Sequence, residues 1–312
     1  PMYMYYSMFG FQRIGDLAWA AGDSQAQGFL LGATAGRTTL NGEGLQHQDG
    51  HSHILANTIP NCVAYDPCFG YELAVIVHDG LKRMYVDQER VFYYLTVMNE
   101  NYEHPEMPQG AEEGIKRGMY QFEKDEKATV QLLGSGVILR EVIKAAKILR
   151  DEYQIHSNVW SVTSFNELAR EGMAVEEYNR LHPLEDGKEA WVSQQLRGTD
   201  GIVVSATDHV RAYSEQIRAY LPDSRPFVAL GTDGYGRSDT RGTLRSYFGV
   251  DAAHIVVATL KKLADEGEVD ARLVKDAISS FELDVDRPVA WLPQAYPTTQ
   301  DVAPYAEPTE EK

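Results

Sequence analysis

Apolar positions along the chain alternate between strand-like runs and a helical period near 3.6 residues. Tyr3 to Met8 is apolar and aromatic, as a strand should be, and from Phe9 to Asp23 the spacing becomes helical, with Phe9, Arg13, Asp16, Leu17, Ala20 and Ala21 divided between faces. Gly28 to Thr34 predicts a short strand bounded by glycines. Thr58 to Tyr65 is another apolar run, and it ends at the turn signal Asp66-Pro67. Tyr71 to Tyr85 predicts a helix with Leu73, Val77, Leu81 and Met84 on one face. Val91 to Val97 is β-branched and aromatic throughout, the pattern of a strand buried on both sides. Residues 1–98 thus alternate strand and helix, which predicts a parallel α/β sheet.

Asn99 to Lys127 breaks the alternation. It holds Pro105, Pro108, Gly110 and acids such as Glu103, Glu106, Glu112, Glu113, Glu123 and Asp125, so residues 99–127 are expected to connect two domains. A second α/β unit is expected over 128–287. Val130 to Gly136 predicts a strand that turns into a helix carrying Val142, Ala145, Ala146, Leu149 and Tyr153. Asn158–Phe165 and Asn166–Leu181 predict the next strand and helix. Gly201–Ala206 predicts a strand leading to Asp208, which is read as the N-cap of a helix with Val210, Tyr213, Ile217 and Tyr220 on one face. Pro226–Leu230 predicts a further strand, followed by the glycine-rich Gly231–Asp239. Two helices should close the unit, one capped by Asp251 and stopped by Gly267, the other over Ala271–Phe281. Residues 288–312, with prolines and acids but no amphipathic period, are expected to form an extended tail.

The chain has 312 residues, enough for about two domains, and its 43% hydrophobic and 24% charged content is that of an ordinary globular protein. No apolar run is long enough to span a membrane. The opening Pro1-Met2-Tyr3-Met4-Tyr5-Tyr6 lacks an initiator Met and the basic region of a signal peptide, and reads as a chain cut inside a fold. The two cysteines, Cys62 and Cys68, match no zinc pattern and suit a reducing cytoplasm as small buried residues. A net charge of −17 argues against nucleic acid and anionic membranes and leaves a basic protein partner open.

Chemistry concentrates between Thr39 and His53, where Glu43, His47, Asp49, His51 and His53 are interleaved with glycines. Imidazoles and carboxylates on a flexible loop point to proton transfer, metal binding or anion recognition, against the plainer reading of a polar surface turn. His47, His51 and His53 could hold zinc in a metal-dependent hydrolase, but the flanking glycines loosen the geometry and favour proton transfer or substrate hydrogen bonding. Gly134-Ser135-Gly136 reads as a tight strand-to-helix turn ahead of a phosphate cradle, because it lacks the spacing of a dinucleotide fingerprint. Gly231–Asp239 suits a ligand loop or a dimer contact equally. The rings of Tyr3, Tyr5, Tyr6, Phe9 and Phe11 suit a core, or a flat heterocycle at a strand-to-helix junction. Residue chemistry alone also leaves a non-catalytic assembly module open.

Four segments read together narrow this: Tyr3-Met4-Tyr5-Tyr6-Ser7-Met8-Phe9-Gly10-Phe11-Gln12-Arg13, Arg37-Thr38-Thr39-Leu40-Asn41-Gly42-Glu43-Gly44-Leu45-Gln46-His47, Asp49-Gly50-His51-Ser52-His53, and Gly231-Thr232-Asp233-Gly234-Tyr235-Gly236-Arg237-Ser238-Asp239. They resemble the homodimeric-type pyruvate dehydrogenases (acetyl-transferring), the decarboxylating first component of the bacterial pyruvate dehydrogenase complex and members of the transketolase superfamily. The resemblance covers residues 1–287 and matches the carboxyl-terminal third of the family. It implies the later part of a pyrimidine-binding domain (1–98) followed by a transketolase-type C-terminal α/β domain (128–287). It further implies thiamine diphosphate as cofactor, with Mg2+ ligands, the diphosphate motif and the ylide-promoting glutamate all in the N-terminal part of the protein; no metal ligand is assigned here.

On this resemblance Tyr6 and Phe9 flank the aminopyrimidine, Tyr6 also reaching the substrate-derived adduct, and Arg13 lies beside that pocket. His47 contacts the pyruvate-derived intermediate, Glu43 is a carboxylate of the same pocket, and Asp49 and His53 form the substrate-facing Asp-Gly-x-x-His motif. His51 stands where transketolases carry Pro. The implied reaction is oxidative decarboxylation of pyruvate with transfer of the acetyl unit to the lipoyl group of dihydrolipoamide acetyltransferase. Its opening disulfide needs a proton donor, a task suited to histidine. Implied partners are the N-terminal part of the same protein, a second subunit of a homodimer, the lipoyl and core-binding domains of the acetyltransferase, and pyruvate, in the cytoplasm, with neither nucleic acid nor membrane. The chain would supply part of the active site only and be inactive alone.

Overall fold

The computed structural model describes residues 1–43 and 46–290; the tail expected over 288–312 lies, from residue 291 on, outside the described residues. A first, four-stranded sheet comprises β1 (Met2–Tyr6), β2 (Phe29–Ala33), β3 (Cys62–Tyr65) and β4 (Phe92–Thr96) in the order β1-β2-β4-β3, every pair parallel. Helices α1 (Ser7–Asp23), α2 (Ser52–Asn57) and α3 (Gly70–Leu81) make the crossovers, and α3 runs on into a π-helical turn over Lys82–Val86. β3 and β4 are buried on both faces, which is why their sequences show no alternation. Edge strand β1 differs: Met2, Tyr3 and Met4 are 56%, 65% and 66% exposed.

The second sheet follows with α4 (Ala111–Arg117), β5 (Met119–Glu123), β6 (Val130–Gly134), α5 (Leu139–Tyr153), β7 (Ser157–Val162), α6 (Phe165–Leu181), α7 (Trp191–Leu196), β8 (Ile202–Ala206), α8 (Ala212–Glu215), β9 (Phe227–Leu230), α9 (Arg241–Phe248), α10 (Ala252–Asp265) and α11 (Ala271–Ser280). Its order is β5-β7-β6-β8-β9, parallel except for the antiparallel edge β5. The chain is thus a mixed α/β protein with two largely parallel sheets. Among the described residues no helix is long and apolar enough to cross a membrane.

Several local expectations change. Residues 99–127 also supply α4 and β5, whose Ile115, Met119 and Tyr120 are buried under a run that prolines and acids made look like a linker. α9 went unpredicted because its apolar face is only Leu244 and Phe248 amid charged residues, although Thr240 caps it by accepting from the Thr243 amide. Asp208 is no N-cap: its carboxylate turns away from α8 and takes the backbone N–H groups of Thr38 and Thr39. The period from Val210 to Tyr220 is carried by the single turn of α8 and a 3-10 turn at Arg218–Tyr220. Asp251 does cap α10, accepting from the His254 amide, and Gly267 does follow its end. Both cysteines are buried and free.

Gly134-Ser135-Gly136 is a turn, and it docks the second sheet onto the first. Gly136, at φ +49, donates its N–H to the Asp66 carbonyl at 3.0 Å, and the Ser135 hydroxyl donates to the Asp66 carboxylate at 2.9 Å. A side chain at Gly136 would meet that carboxylate at 2.6 Å. Nearby, the Arg170 guanidinium donates to the carbonyls of Cys62, Asn57 and Ile59.

Glu72 is the other fixed point of the junction. One carboxylate oxygen accepts from the amides of Cys68 (2.6 Å) and Phe69 (2.9 Å), the other from the hydroxyls of Tyr120 (2.7 Å) and Ser161 (2.6 Å) on the second sheet. Burial outweighs these bonds and raises the carboxyl above its ordinary range. Truncation would leave the Cys68 and Phe69 amides and the Ser161 hydroxyl without an acceptor, while Tyr120 would fall back on the Tyr71 hydroxyl. Glu72→Ala should therefore lower the unfolding free energy by about 3 kcal/mol or more, read from urea denaturation; a loss below about 1 kcal/mol would show that the junction does not depend on this carboxylate.

Candidate active site

β1 ends at Tyr6, which takes an extended conformation (φ −61, ψ 125) as α1 begins at Ser7. One turn on, Phe9 comes back beside it, the ring centroids 5.8 Å apart. The Arg13 guanidinium lies 4.1 Å over the Phe9 ring, a cation–π contact one further turn along. His47 arrives from the loop after β2, its ring 5.6 Å from Tyr6 and 5.0 Å from Phe9. Glu43 completes the group, a carboxylate oxygen 2.9 Å from His47 Nδ1 as an ion-pair contact, without hydrogen-bond alignment. Tyr6, Phe9, Arg13, Glu43 and His47 thus converge at the carboxyl end of an edge strand, where parallel sheets tend to bind ligands. Tyr6 is 43% exposed, so the cluster has an open side.

Asp49 and His53 lie deeper, both with no exposed surface. Asp49 Oδ1 accepts from the amides of His51 and Ser52, each at 3.0 Å, and so shapes the entry into α2. Burial alone would raise its carboxyl, but His209 and the bonds from Ser52 and His51 outweigh that and hold it below the ordinary value. His53 stacks on Tyr213 of the second domain (4.7 Å, 22°) and meets His209 edge-on at 4.8 Å. Its Nε2 is 2.9 Å from the Thr96 hydroxyl, which donates to Asp66 Oδ1 at 2.6 Å; Nε2 therefore carries the proton given to Thr96. His51 goes elsewhere, its Nε2 against the Gln12 side-chain oxygen.

The three loop histidines face three environments. Among the described residues the group that brings candidate metal ligands together is instead His53, Asp66 and His209, with ligand atoms within 4.8 Å of one another. The Thr96 hydroxyl already bridges two of its members. Neither His209 nor Asp66 stood out in the sequence as a site residue. Their position just past the carboxyl ends of β8 and β3 was the available signal.

These buried groups divide their protons in a definite way. Burial, reinforced by His209, lowers His53 to about 3, so it is neutral near neutral pH. Burial opposes charge on His209 too, but Asp66, Asp49 and Asp208 outweigh it and raise its value. Asp66 would rise on burial, yet His209 and its hydrogen bonds bring it to about 2. Between pH 6.5 and about 3 the unfolded chain binds a proton at His53 that the folded chain refuses, so this group costs stability as pH falls through that window. His209 has the opposite sign: its contribution is complete below 6.5 and fades as pH rises through its raised value. Replacing His53 by Gln should flatten the decline of the thermal midpoint below pH 6.5. An unchanged acid slope would show that His53 is not the responsible group.

Comparison with known proteins identifies the family. Residues 1–105 match the family described as the pyruvate dehydrogenase E1 component middle domain, and residues 118–251 the transketolase-like C-terminal domain. The pyruvate dehydrogenase E1 component of Pseudomonas aeruginosa is 58% identical over 290 residues, 92% of this chain and 33% of that protein. That of Escherichia coli K12 is 57% identical over 290 residues, 92% of this chain and 32% of that protein. The chain thus spans about a third of the length of these relatives. In fold it resembles the transketolase of Campylobacter jejuni, with TM-score 0.65 at 16% identity over 84% of this chain and 35% of that one. It likewise resembles a split-gene transketolase in its inactive β4 tetramer, with TM-score 0.61 at 18% identity over 85% of this chain and 76% of that one. The chain therefore belongs with the pyruvate dehydrogenase E1 components and corresponds to their C-terminal third.

Proposed function

We propose that this chain forms one wall of the active site of a thiamine-diphosphate-dependent pyruvate dehydrogenase, which decarboxylates pyruvate and passes the acetyl unit to a lipoyl group of dihydrolipoamide acetyltransferase. The observation that carries this reading is the convergence of Tyr6, Phe9, Arg13, Glu43 and His47 at an open strand end. The aromatic pair suits the flat pyrimidine of the cofactor. On the family reading the Mg2+ and diphosphate contacts come from the N-terminal part of the protein.

When bound, the cofactor supplies the electron sink that loss of carbon dioxide from a 2-oxo acid requires. The chain's own residues do the rest. Tyr6 and Phe9 would hold and orient the ring, and the Arg13 guanidinium lies over Phe9 and fixes that side chain. Glu43 faces His47 Nδ1 and leaves Nε2 for the substrate. From Nε2 the imidazole holds the pyruvate carboxylate, and later gives its proton to the sulfur released when the lipoyl disulfide opens. Asp49 and His53, being buried, act by shaping the loop and the junction behind it. The net charge of −17 suits docking to a basic face of the acetyltransferase. The second subunit of a homodimer supplies the facing wall, and the enzyme works in the cytoplasm.

In the full-length protein His47→Ala should reduce the rate of lipoyl acetylation by about a hundredfold; a change within about threefold would remove His47 from the reaction. The chain of 312 residues alone, given thiamine diphosphate and Mg2+, should not turn over pyruvate, and measurable carbon dioxide release would contradict the one-wall reading.

A further inference from the structure

The loop that carries Glu43 and His47 is held from the second domain, and at its root one carboxylate makes three of the contacts. Asp208, just past the carboxyl end of β8, is 2% exposed. Its Oδ1 accepts from the Thr38 amide at 3.0 Å, and its Oδ2 from the Thr39 amide at 3.3 Å and the Thr39 hydroxyl at 2.9 Å. Its backbone carbonyl takes the Arg37 amide at 3.3 Å and the Thr232 hydroxyl at 2.8 Å. Gly36, at φ +85, lies so close that a Cβ there would come within 2.0 Å of the carboxylate. Other holds act elsewhere on the loop: Arg241 Nε donates to the Thr39 carbonyl at 2.8 Å and the Gly42 amide to the Asp239 carbonyl at 3.2 Å, while beyond His47 the Arg237 amide donates to Gln48 Oε1 at 2.6 Å and the Val210 amide to the Gly50 carbonyl at 2.7 Å.

We propose that Asp208 is a positioning residue for His47: by gripping two consecutive backbone amides at the root of the loop, it fixes where the imidazole stands against Tyr6 and Phe9. The inference rests on the reading of His47 as the proton-handling group. Asp208 itself touches no member of that cluster. A carboxylate suits the task because both of its oxygens only accept, whereas an amide of the same shape turns one of them into a donor. In Asp208→Asn one backbone N–H, of Thr38 or of Thr39, must face an NH2 group and lose its acceptor. The loop root then shifts, and a misplacement near one ångström at a reacting group is costly in rate.

The test is a double-mutant cycle in the full-length enzyme, with lipoyl acetylation as the readout. Asp208→Asn should slow acetylation about tenfold or more in the native background and less than about twofold when His47 is already Ala. A merely structural role would give the same loss in both backgrounds, and that result overturns the proposal. If Asp208→Asn fails to fold, Thr39→Val, which removes only the hydroxyl bond, carries the same cycle with an expected loss of about threefold. If His47→Ala leaves the rate intact, the functional reading fails and the positioning role with it. A severe His47→Ala effect combined with an additive Asp208 effect overturns the positioning role alone.

Discussion

Two buried carboxylates, Asp66 just past β3 and Glu72 in the first turn of α3, determine how this molecule is assembled. Asp66 and Glu72 are taken out of water at the seam between the sheets, and an ionised carboxylate in that position is tolerated only where donors surround it. The donors come from both sides: Thr96 and the Cys68 and Phe69 amides from the first domain, Ser135, Ser161, Tyr120 and His209 from the rest of the chain. Apolar contacts would allow the sheets to slide against each other. Fixed acceptors with directed hydroxyls allow essentially one seating, and every residue of the site inherits its place from it.

The site depends on that seating because it is built across it. Tyr6, Phe9 and Arg13 belong to the first strand and helix, whereas His47 sits on a loop whose root is gripped by Asp208 and whose flank is met by Arg241. The inner histidines follow the same logic. His53 is lowered because burial between Tyr213 and His209 opposes its charge, and His209 is raised because Asp66 and Asp49 face it. The pair is a consequence of the seam, since neither residue has these surroundings within its own domain.

This explains what could and could not be read from the residues. Strands β3 and β4 were legible because burial on both faces leaves an unbroken apolar run, as at Phe92–Thr96. The cluster around His47 was legible in kind, since imidazole, carboxylate and aromatic residues at loop and strand ends announce chemistry. Asp208 was misread because an acid between a strand and a helix has the composition of a cap, and its true partner, Thr38, lies 170 residues away. The burial of His53 was equally invisible, since Tyr213 and His209 reach it from beyond β8. α4 and β5 were hidden by prolines and acids in the preceding run, a local signal that burial of Ile115, Met119 and Tyr120 overrides.

The bare edge of β1 carries a consequence for anyone handling this polypeptide. Its inner side pairs with β2, while its outer rim is the end of the sheet and bears the exposed side chains of Met2, Tyr3 and Met4. A strand edge with unpaired amides and greasy side chains is a template for any other extended segment. Such a rim favours self-association of the isolated chain. A lysine introduced at Tyr3, in the middle of the strand, is the simplest way to make the rim unwelcoming while leaving the cluster at Tyr6 untouched.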